Sequence, residues 1–201
     1  MKSTYAFAIA VVTVLFSFSV SAQHKHGDME KAGQPYAGLE SRSIKSLSDS
    51  DIADLQQGKG WGLALPAELN GWPGPVHLLE LSEQLELTTE QTSQIDAIYN
   101  KMKVSAIEAG ANFIAAEEAL SQAFESGHLN EKQLSDLVES AAAARAELRN
   151  IHLAAHLATP AVLTREQMQR YSQLRGYTSD PCASVPEGHD PDMWRKHNGC
   201  G

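Results

Sequence analysis

The sequence predicts an all-α protein built around a long antiparallel helical hairpin with two shorter flanking helices. Three observations predict this fold class. Two long segments repeat apolar or small residues every three or four positions, which is the spacing of one helix face. A short turn joins these segments, so the two helices must run antiparallel. No segment shows the alternation of apolar and polar residues that indicates a β-strand.

The first residues have the layout of a secretory signal peptide. Lys2 supplies a positive charge, residues 5–20 form an apolar run, and Ala22 ends a short cleavage triplet. An uncleaved membrane anchor is the alternative, but the apolar run is short for a span of about 20 residues. We therefore expect cleavage after Ala22 and a mature protein that works outside the cytoplasm.

Composition and cysteine content narrow the possible partners. The formal net charge of the full chain is −9, which argues against nucleic acid and anionic membranes as main partners. The two cysteines, Cys182 and Cys200, lie in the tail, where an oxidising compartment favours a disulfide contributing about 3 kcal/mol. The nearby His189 and His197 leave a small zinc site open as the alternative, although the spacing matches no standard zinc module.

Residues 23–75 are predicted to precede the hairpin as three distinct pieces. A polar, flexible arm is expected up to about residue 46. A short helix follows, with Ser48 as its cap, Asp51 at its third position and Gly58 at its end. The Gly/Pro-dense connector that completes the segment carries two tryptophans and three leucines, so we expect it to pack on another part of the protein.

Residues 76–176 are predicted to form the helical domain. Its expected helices run from Val76 to about Glu86, Thr89 to about Glu125, Glu131 to about Thr159 and about Arg165 to Arg175. The third of these helices is rich in alanine, which allows close approach but leaves too little bulk for a thick core. We therefore expect a thin hairpin that completes its core as a homodimer. Residues 177–201 are expected to form an irregular tail.

Three helices are predicted to start with a capping box, in which a cap side chain and a residue three positions later exchange hydrogen bonds. Two copies have the pattern LTxxQ, and a third uses Asn130 and Gln133. The residues of the two LTxxQ copies are Leu87, Thr88, Gln91, Leu163, Thr164 and Gln167. Each box is worth about 1 kcal/mol as a helix start.

Over about residues 76 to 176, the paired LTxxQ motifs and the helix layout resemble the Spy/CpxP family of periplasmic chaperones and stress regulators. The related ZraP and CnrX proteins are associated with metals. The resemblance implies a four-helix, cradle-like dimer in the Gram-negative periplasm. Such a dimer would shield unfolded or aggregation-prone envelope proteins without ATP, or act with a membrane signalling partner. The acidic charge of this chain departs from the basic concave surface that chaperone members tend to have.

Two histidines on the third helix form a candidate metal pair. His152 and His156 are separated by one helical turn and could chelate a Zn, Cu, Ni or Co ion. The alternative is two half-buried or surface histidines. The resemblance to metal-sensing relatives adds His77 near the expected first-helix position, with Glu80 or a second subunit as further sources of ligands. The function alternative to a chaperone is therefore a periplasmic heavy-metal sensor or buffer.

Two further features complete the functional reading of the sequence. The mature amino terminus, Gln23-His24-Lys25-His26, could bind Cu or Zn through its imidazoles, or act as a solubilising arm. The chain lacks a nucleophile elbow, a P-loop and a dinucleotide fingerprint, and Leu153 replaces the glutamate that the zinc-protease motif requires. We therefore expect no enzymatic activity and no required cofactor.

Overall fold

The computed structural model describes residues 35–178, 182, 185, 187–198 and 200. Within these residues every regular element is a helix, as the sequence predicts, and no strand occurs. The helices are α1 (Asp49–Gln56), α2 (Leu65–Glu68), α3 (Pro75–Glu80), α4 (Thr89–Glu125), α5 (Glu131–Ala158), α6 (Arg165–Leu174) and α7 (Pro191–His197), with short 3-10 helices at Leu39–Ser41 and Thr159–Val162. The predicted signal peptide, residues 1–22, and the histidines at 24 and 26 lie outside the described residues.

Two long helices dominate the structure. Helix α4 has 37 residues and α5 has 28 residues, and both helices begin and end close to the limits predicted from the sequence. They pack against each other along a layer of small and apolar side chains that includes Ala109 and Phe113 of α4 and Leu148 of α5. None of the helices in the described part of the chain is both long enough and apolar enough to cross a membrane.

The expected capping residues all cap their helices. Ser48, Thr88, Asn130 and Thr164 each accept a hydrogen bond from the backbone N–H three residues later, and the residue there returns a bond to the N–H of the cap. These reciprocal bonds satisfy donors that a helix start otherwise leaves free. Local sequence therefore determines where α1, α4, α5 and α6 begin.

The segment before the long helices is part of the core, although the sequence predicted a flexible arm up to about residue 46. Ile44 and Leu47 are only 4% and 2% exposed, and they join Leu55 and Leu63 in a cluster with Phe113 and other residues of the long helices. The physical reason is that the small residues of α4 and α5 leave apolar surface that this segment covers. Described residues from Gly38 onward form one compact unit.

The chain turns earlier after α3 than the sequence predicted. Helix α3 ends at Glu80 rather than near Glu86, and residues 81–86 form turns. Glu86 has φ 49°, in the left-handed region, which reverses the chain just before the cap of α4. This turn brings Leu85 into a second buried cluster with Leu78, Ile95 and Tyr171, which joins α3, α4 and α6.

The tail contains a helix that the prediction of an irregular tail missed. Asp190 accepts hydrogen bonds from the backbone N–H groups of Asp192 and Met193, and Pro191 occupies the first position of α7. An aspartate followed by proline is a helix-start signal that the sequence already carried. Cys182 and Cys200 form the expected disulfide.

Candidate functional site

The two histidines of the candidate metal pair are buried, whereas the sequence placed them at the edge of a helix face. His152 is 3% exposed and His156 is 8% exposed. The segment between α2 and α3 packs on His156, so closely that a Cβ added to Gly74 would lie 2.9 Å from Cε1 of His156. A larger residue at position 74 would therefore force the His156 ring to shift.

A cavity of about 380 Å³ lies beside this contact, between residues 57–77 and the helices α4 and α5. All three histidines predicted as metal ligands line it, as do Glu68, Met102 and other residues. The side chain of His77 is engaged on α3, because its Nδ1 lies 2.9 Å from Oε2 of Glu80. The sequence thus identified three residues of one cavity but missed the groups that surround them.

Glu68, at the end of α2, is the central charged group of this region and is only 6% exposed. Its Oε1 accepts hydrogen bonds from the hydroxyl groups of Tyr171 at 2.5 Å and Tyr177 at 3.0 Å. The same oxygen lies 3.3 Å from Nε of Arg175, and Oε2 accepts a bond from the N–H of Gly74 at 3.1 Å. The buried carboxylate is therefore compensated by a cation and three hydrogen-bond donors.

Tyr171 is held in its neutral form by this arrangement. Burial, the hydrogen bond to Glu68 and the charge of Glu68 together raise the pKa of the Tyr171 hydroxyl well above its ordinary value. Tyr171 is completely buried, so its hydroxyl has the Glu68 carboxylate as its acceptor in place of water. The bond ties α6 to α2 through two side chains that are distant in the sequence.

His156 is held in one orientation by the connector. Its Nδ1 lies 2.8 Å from the carbonyl oxygen of Trp72 and 3.7 Å from Oε2 of Glu68. Because a carbonyl can only accept, Nδ1 must carry the proton in this contact, and Nε2 keeps its lone pair in the neutral ring. The neighbouring Thr159 adds a second bond from α5 to the connector, from its hydroxyl to the carbonyl oxygen of Pro73 at 2.6 Å.

His152 differs from His156 because its Nε2 has no hydrogen-bond partner. It is the only buried side-chain nitrogen or oxygen within the described part of the chain in this condition. Burial, with a smaller electrostatic effect from His156, lowers the pKa of His152 from its ordinary value of 6.5, so its neutral form predominates at pH 7. An unpaired polar atom of this kind is costly in a folded protein and calls for an explanation.

The described residues do not assemble a complete set of metal ligands. No group of three or more His, Cys, Asp or Glu side chains in this part of the chain is arranged to hold a metal ion. His152 and His156 therefore lack a third ligand of these types, and His77 does not provide one. In the tail, the disulfide occupies both thiols that a zinc site would use.

The glutamines of the two LTxxQ motifs meet in space. Nε2 of Gln91 donates to Oε1 of Gln167 at 2.8 Å, and Nε2 of Gln167 donates to Oε1 of Gln91 at 3.1 Å. Each amide also bonds a backbone carbonyl, Gln91 that of Val162 and Gln167 that of Leu85. The two motifs therefore form a tertiary contact between the starts of α4 and α6, in addition to capping each of these helices.

The long helices also expose large apolar side chains. On α4, Val104 is 70% exposed and Phe124 is 61% exposed; on α5, Leu157 is 66% exposed. Two shallow apolar grooves of about 380 and 300 Å³ flank α5 and share Asn150 and Ala154 in their walls. This surface can contact apolar groups of another molecule.

The residues around Glu68 had no signal in the sequence that singled them out. Glu68 is the one acid within an apolar stretch of the connector, which is the only local hint that it is buried. Tyr171, Arg175 and Tyr177 belong to a short polar helix and its end, and they converge on Glu68 only in the folded chain.

Comparisons with protein-family models, characterised proteins and solved structures found no match to this chain.

Proposed function

We propose that this protein is a periplasmic, ATP-independent chaperone or envelope-stress adaptor of the Spy/CpxP type. The observation that carries the proposal is the exposed apolar surface on the long helices α4 and α5, in a chain whose helices α4 and α6 start at LTxxQ caps. Unfolded proteins present apolar segments, and burying such segments against exposed side chains is favourable without an energy source. The predicted export signal is consistent with a compartment in which ATP does not drive chaperones.

The proposed assembly is a cradle-like homodimer of antiparallel hairpins. The position of Ala154 supports this dimer. Its small side chain lies between two apolar grooves on α5, where a second helix could approach closely. Replacing Ala154 with Arg should shift the protein towards monomer in sedimentation velocity. Replacing the exposed Ala142 of the same helix with Arg is the matched control, and an identical effect of both changes would contradict this interface.

The chaperone proposal is tested by suppression of aggregation. A reduced or heat-unfolded client protein is mixed with the purified mature chain, and light scattering is followed over time. We expect suppression near equal molar amounts, and less suppression when Val104 and Ile107 are both replaced by Ser. Replacing Met193 with Ser is the control, because that side chain is 73% exposed but lies on α7. Unchanged aggregation at a large excess of the protein would refute the proposal.

The second candidate function is a periplasmic heavy-metal sensor or buffer. The observation that favours it is the unpartnered Nε2 of His152 one helical turn from His156, whose other nitrogen is anchored to Trp72 as in many metal sites. Calorimetric titration with Zn, Cu, Ni and Co tests this function. Micromolar affinity that survives replacement of both histidines with Ala would exclude the helix pair as its source.

A further inference from the structure

The distal end of the hairpin, which comprises residues 114–140, contains no buried side chain, although the structure describes every residue in it. The apolar seam of both long helices continues through this end, at Leu120 on α4 and Leu137 on α5, and both side chains are partly exposed. Phe124 and Val138 are 61% and 47% exposed. The distal end therefore presents apolar surface that the described chain leaves uncovered.

The segment that covers the rest of the hairpin explains this difference. Residues 44–63 lie across α4 and α5, and with them Phe113 and Leu148 become buried. The cluster that they form ends on α4 at Phe113 and Ile114. Beyond this point two helices alone leave their seam open, because a helix face is enclosed only when further elements pack on it. A third helix at the distal end would complete this unfinished core.

The distal end is also strongly acidic. It contains six acidic residues and one lysine, a formal charge of −5, in a chain whose formal net charge is −9. The acidic residues are Glu117, Glu118, Glu125, Glu131, Asp136 and Glu139. The single lysine, Lys132, is already paired with Asp136 at 2.7 Å. A second copy of this chain would bring the same excess of acid, whereas a basic partner would be attracted.

The chain itself shows how this end holds a basic side chain. Nζ of Lys45 lies 3.2 Å from Oε1 of Glu125, and the backbone N–H of Lys45 donates to Oγ of Ser121 at 3.2 Å. The hydroxyl group of Ser46 donates to Oε2 of Glu117 at 2.5 Å. These three residues of α4 are spaced four apart, so they lie along one stripe of the helix. A lysine beside apolar residues is therefore already bound along this stripe.

Other acids of the distal end are available to a partner. Glu118 on α4 and Glu139 on α5 are exposed, and neither forms an ion pair within the described part of the chain. Residues 114–125 of α4 span about 18 Å at 1.5 Å per residue, which is the length of a partner helix of three to four turns. Helices with one apolar face commonly bind in grooves of this kind.

We propose that the distal end of the hairpin is a docking site for a basic amphipathic helix of another protein. The apolar face of that helix covers the open seam, and its lysine or arginine side chains pair with the surrounding acids. The site goes beyond the proposed chaperone function, which is tested at Val104 and Ile107, and beyond the proposed dimer, which is tested at Ala154. These positions lie outside residues 114–140, so each proposal can fail without the others.

The probe is the synthetic peptide LKKLLKLLKKLLKL, labelled with fluorescein, which has leucine at helical spacing and lysine elsewhere. The matched control peptide has glutamate in place of every lysine. Fluorescence anisotropy with the mature protein should show saturable, one-to-one binding of the lysine peptide and no binding of the glutamate peptide. Raising the NaCl concentration from about 50 to about 500 mM should weaken binding, because salt screens exposed charges.

A variant of the apolar surface locates the peptide on the protein. Phe124→Ser should weaken binding of the lysine peptide by about tenfold, because the phenylalanine ring no longer packs on the leucine side chains. Leu157→Ser is the matched control, since Leu157 is 66% exposed but lies at the other end of the hairpin, and it should leave the affinity unchanged. Circular dichroism verifies that both variants keep the helix content of the wild type.

A second pair of variants tests the charges. Glu118→Gln combined with Glu139→Gln should weaken binding of the lysine peptide by about threefold or more, because two exposed ion pairs are lost. Glu108→Gln combined with Glu147→Gln is the matched control, because these exposed acids lie on the same two helices outside the distal end. The control should bind the peptide as the wild type does.

Three results would overturn the proposal: no saturable binding of the lysine peptide, equal binding of the glutamate peptide, or equal losses of affinity in the distal variants and their controls. A fourth result would assign the surface to a second copy of this chain instead. That result is a shift of Phe124→Ser from dimer to monomer in sedimentation velocity.

Discussion

Gln91 and Gln167, the last residues of the two LTxxQ motifs, hydrogen-bond to each other through both atoms of their side-chain amides. Each glutamine also returns the bond to its own helix cap, at Thr88 or Thr164. A pattern that sequence analysis treats as two local helix starts is therefore one tertiary contact. The two glutamines are 76 residues apart in the sequence, so only the tertiary fold brings them together.

The first prediction concerns this amide pair. Gln91→Ala and Gln167→Ala should each lower the free energy of unfolding by about 1–3 kcal/mol, because each removes a cap bond and takes one hydrogen-bond partner from the other amide. The double variant should cost less than the sum of the two, since the second change removes a group already left without its partner. Urea unfolding measures the free energy of unfolding of the two single variants and of the double variant. Gln133→Ala, in the capping box of α5, is the control and should cost about 1 kcal/mol. Strict additivity would contradict the pairing.

The second prediction concerns the buried carboxylate. Glu68→Ala should destabilise the protein by about 3–5 kcal/mol, because it leaves Arg175 without its buried counter-charge and two tyrosine hydroxyls without an acceptor. Glu80→Ala removes an acid that pairs with His77 near the surface, and should cost about 1 kcal/mol or less. Chemical unfolding compares the two. Similar losses for both would mean that the Glu68 contacts add little stability.

The third prediction concerns pH. Burial lowers the pKa of His152 below 6.5, so the unfolded chain binds this proton more readily than the folded one. The stability is therefore complete above the unfolded pKa and declines as the pH falls from about 6.5 towards the folded pKa. Each unit of pKa depression contributes about 1.4 kcal/mol. Urea unfolding between about pH 7.5 and pH 5 should show a shallower decline for His152→Leu than for wild type or His128→Leu. The same decline in stability with pH for all three proteins would refute the lowered pKa of His152.

The fourth prediction concerns the contact between α1 and α4. A Cβ added to Gly110 would lie 2.7 Å from the carbonyl oxygen of Leu55, so the two helices would have to separate. Gly110→Ala should therefore destabilise the protein by about 1–3 kcal/mol, although alanine is the better helix former. Gly60→Ala is the matched control, because its new Cβ meets no neighbour. A stabilising effect of Gly110→Ala in thermal unfolding would contradict this packing.

Sequence alone determined the elements whose causes are local. The periodicity of residues 89–125 and 131–158 and the caps at Thr88, Asn130 and Thr164 specify helices, and the structure has them at those limits. These features depend on neighbours within a few positions, so pattern analysis could find them. The cysteine pairing was equally accessible, because only two cysteines are present.

Only the tertiary structure decided what surrounds the two histidines. His152 and His156 were identifiable by spacing, but the burial of His156 depends on Gly74 and Trp72 packing on α5 from more than seventy residues away. The convergence of Glu68 with Tyr171 of α6 and with Tyr177 after it spans over a hundred positions, and no local pattern encodes it. These contacts between residues distant in sequence form because small residues on α4 and α5 leave apolar surface uncovered. The segment from Ile44 to Pro75 buries that surface, and in doing so encloses the cavity.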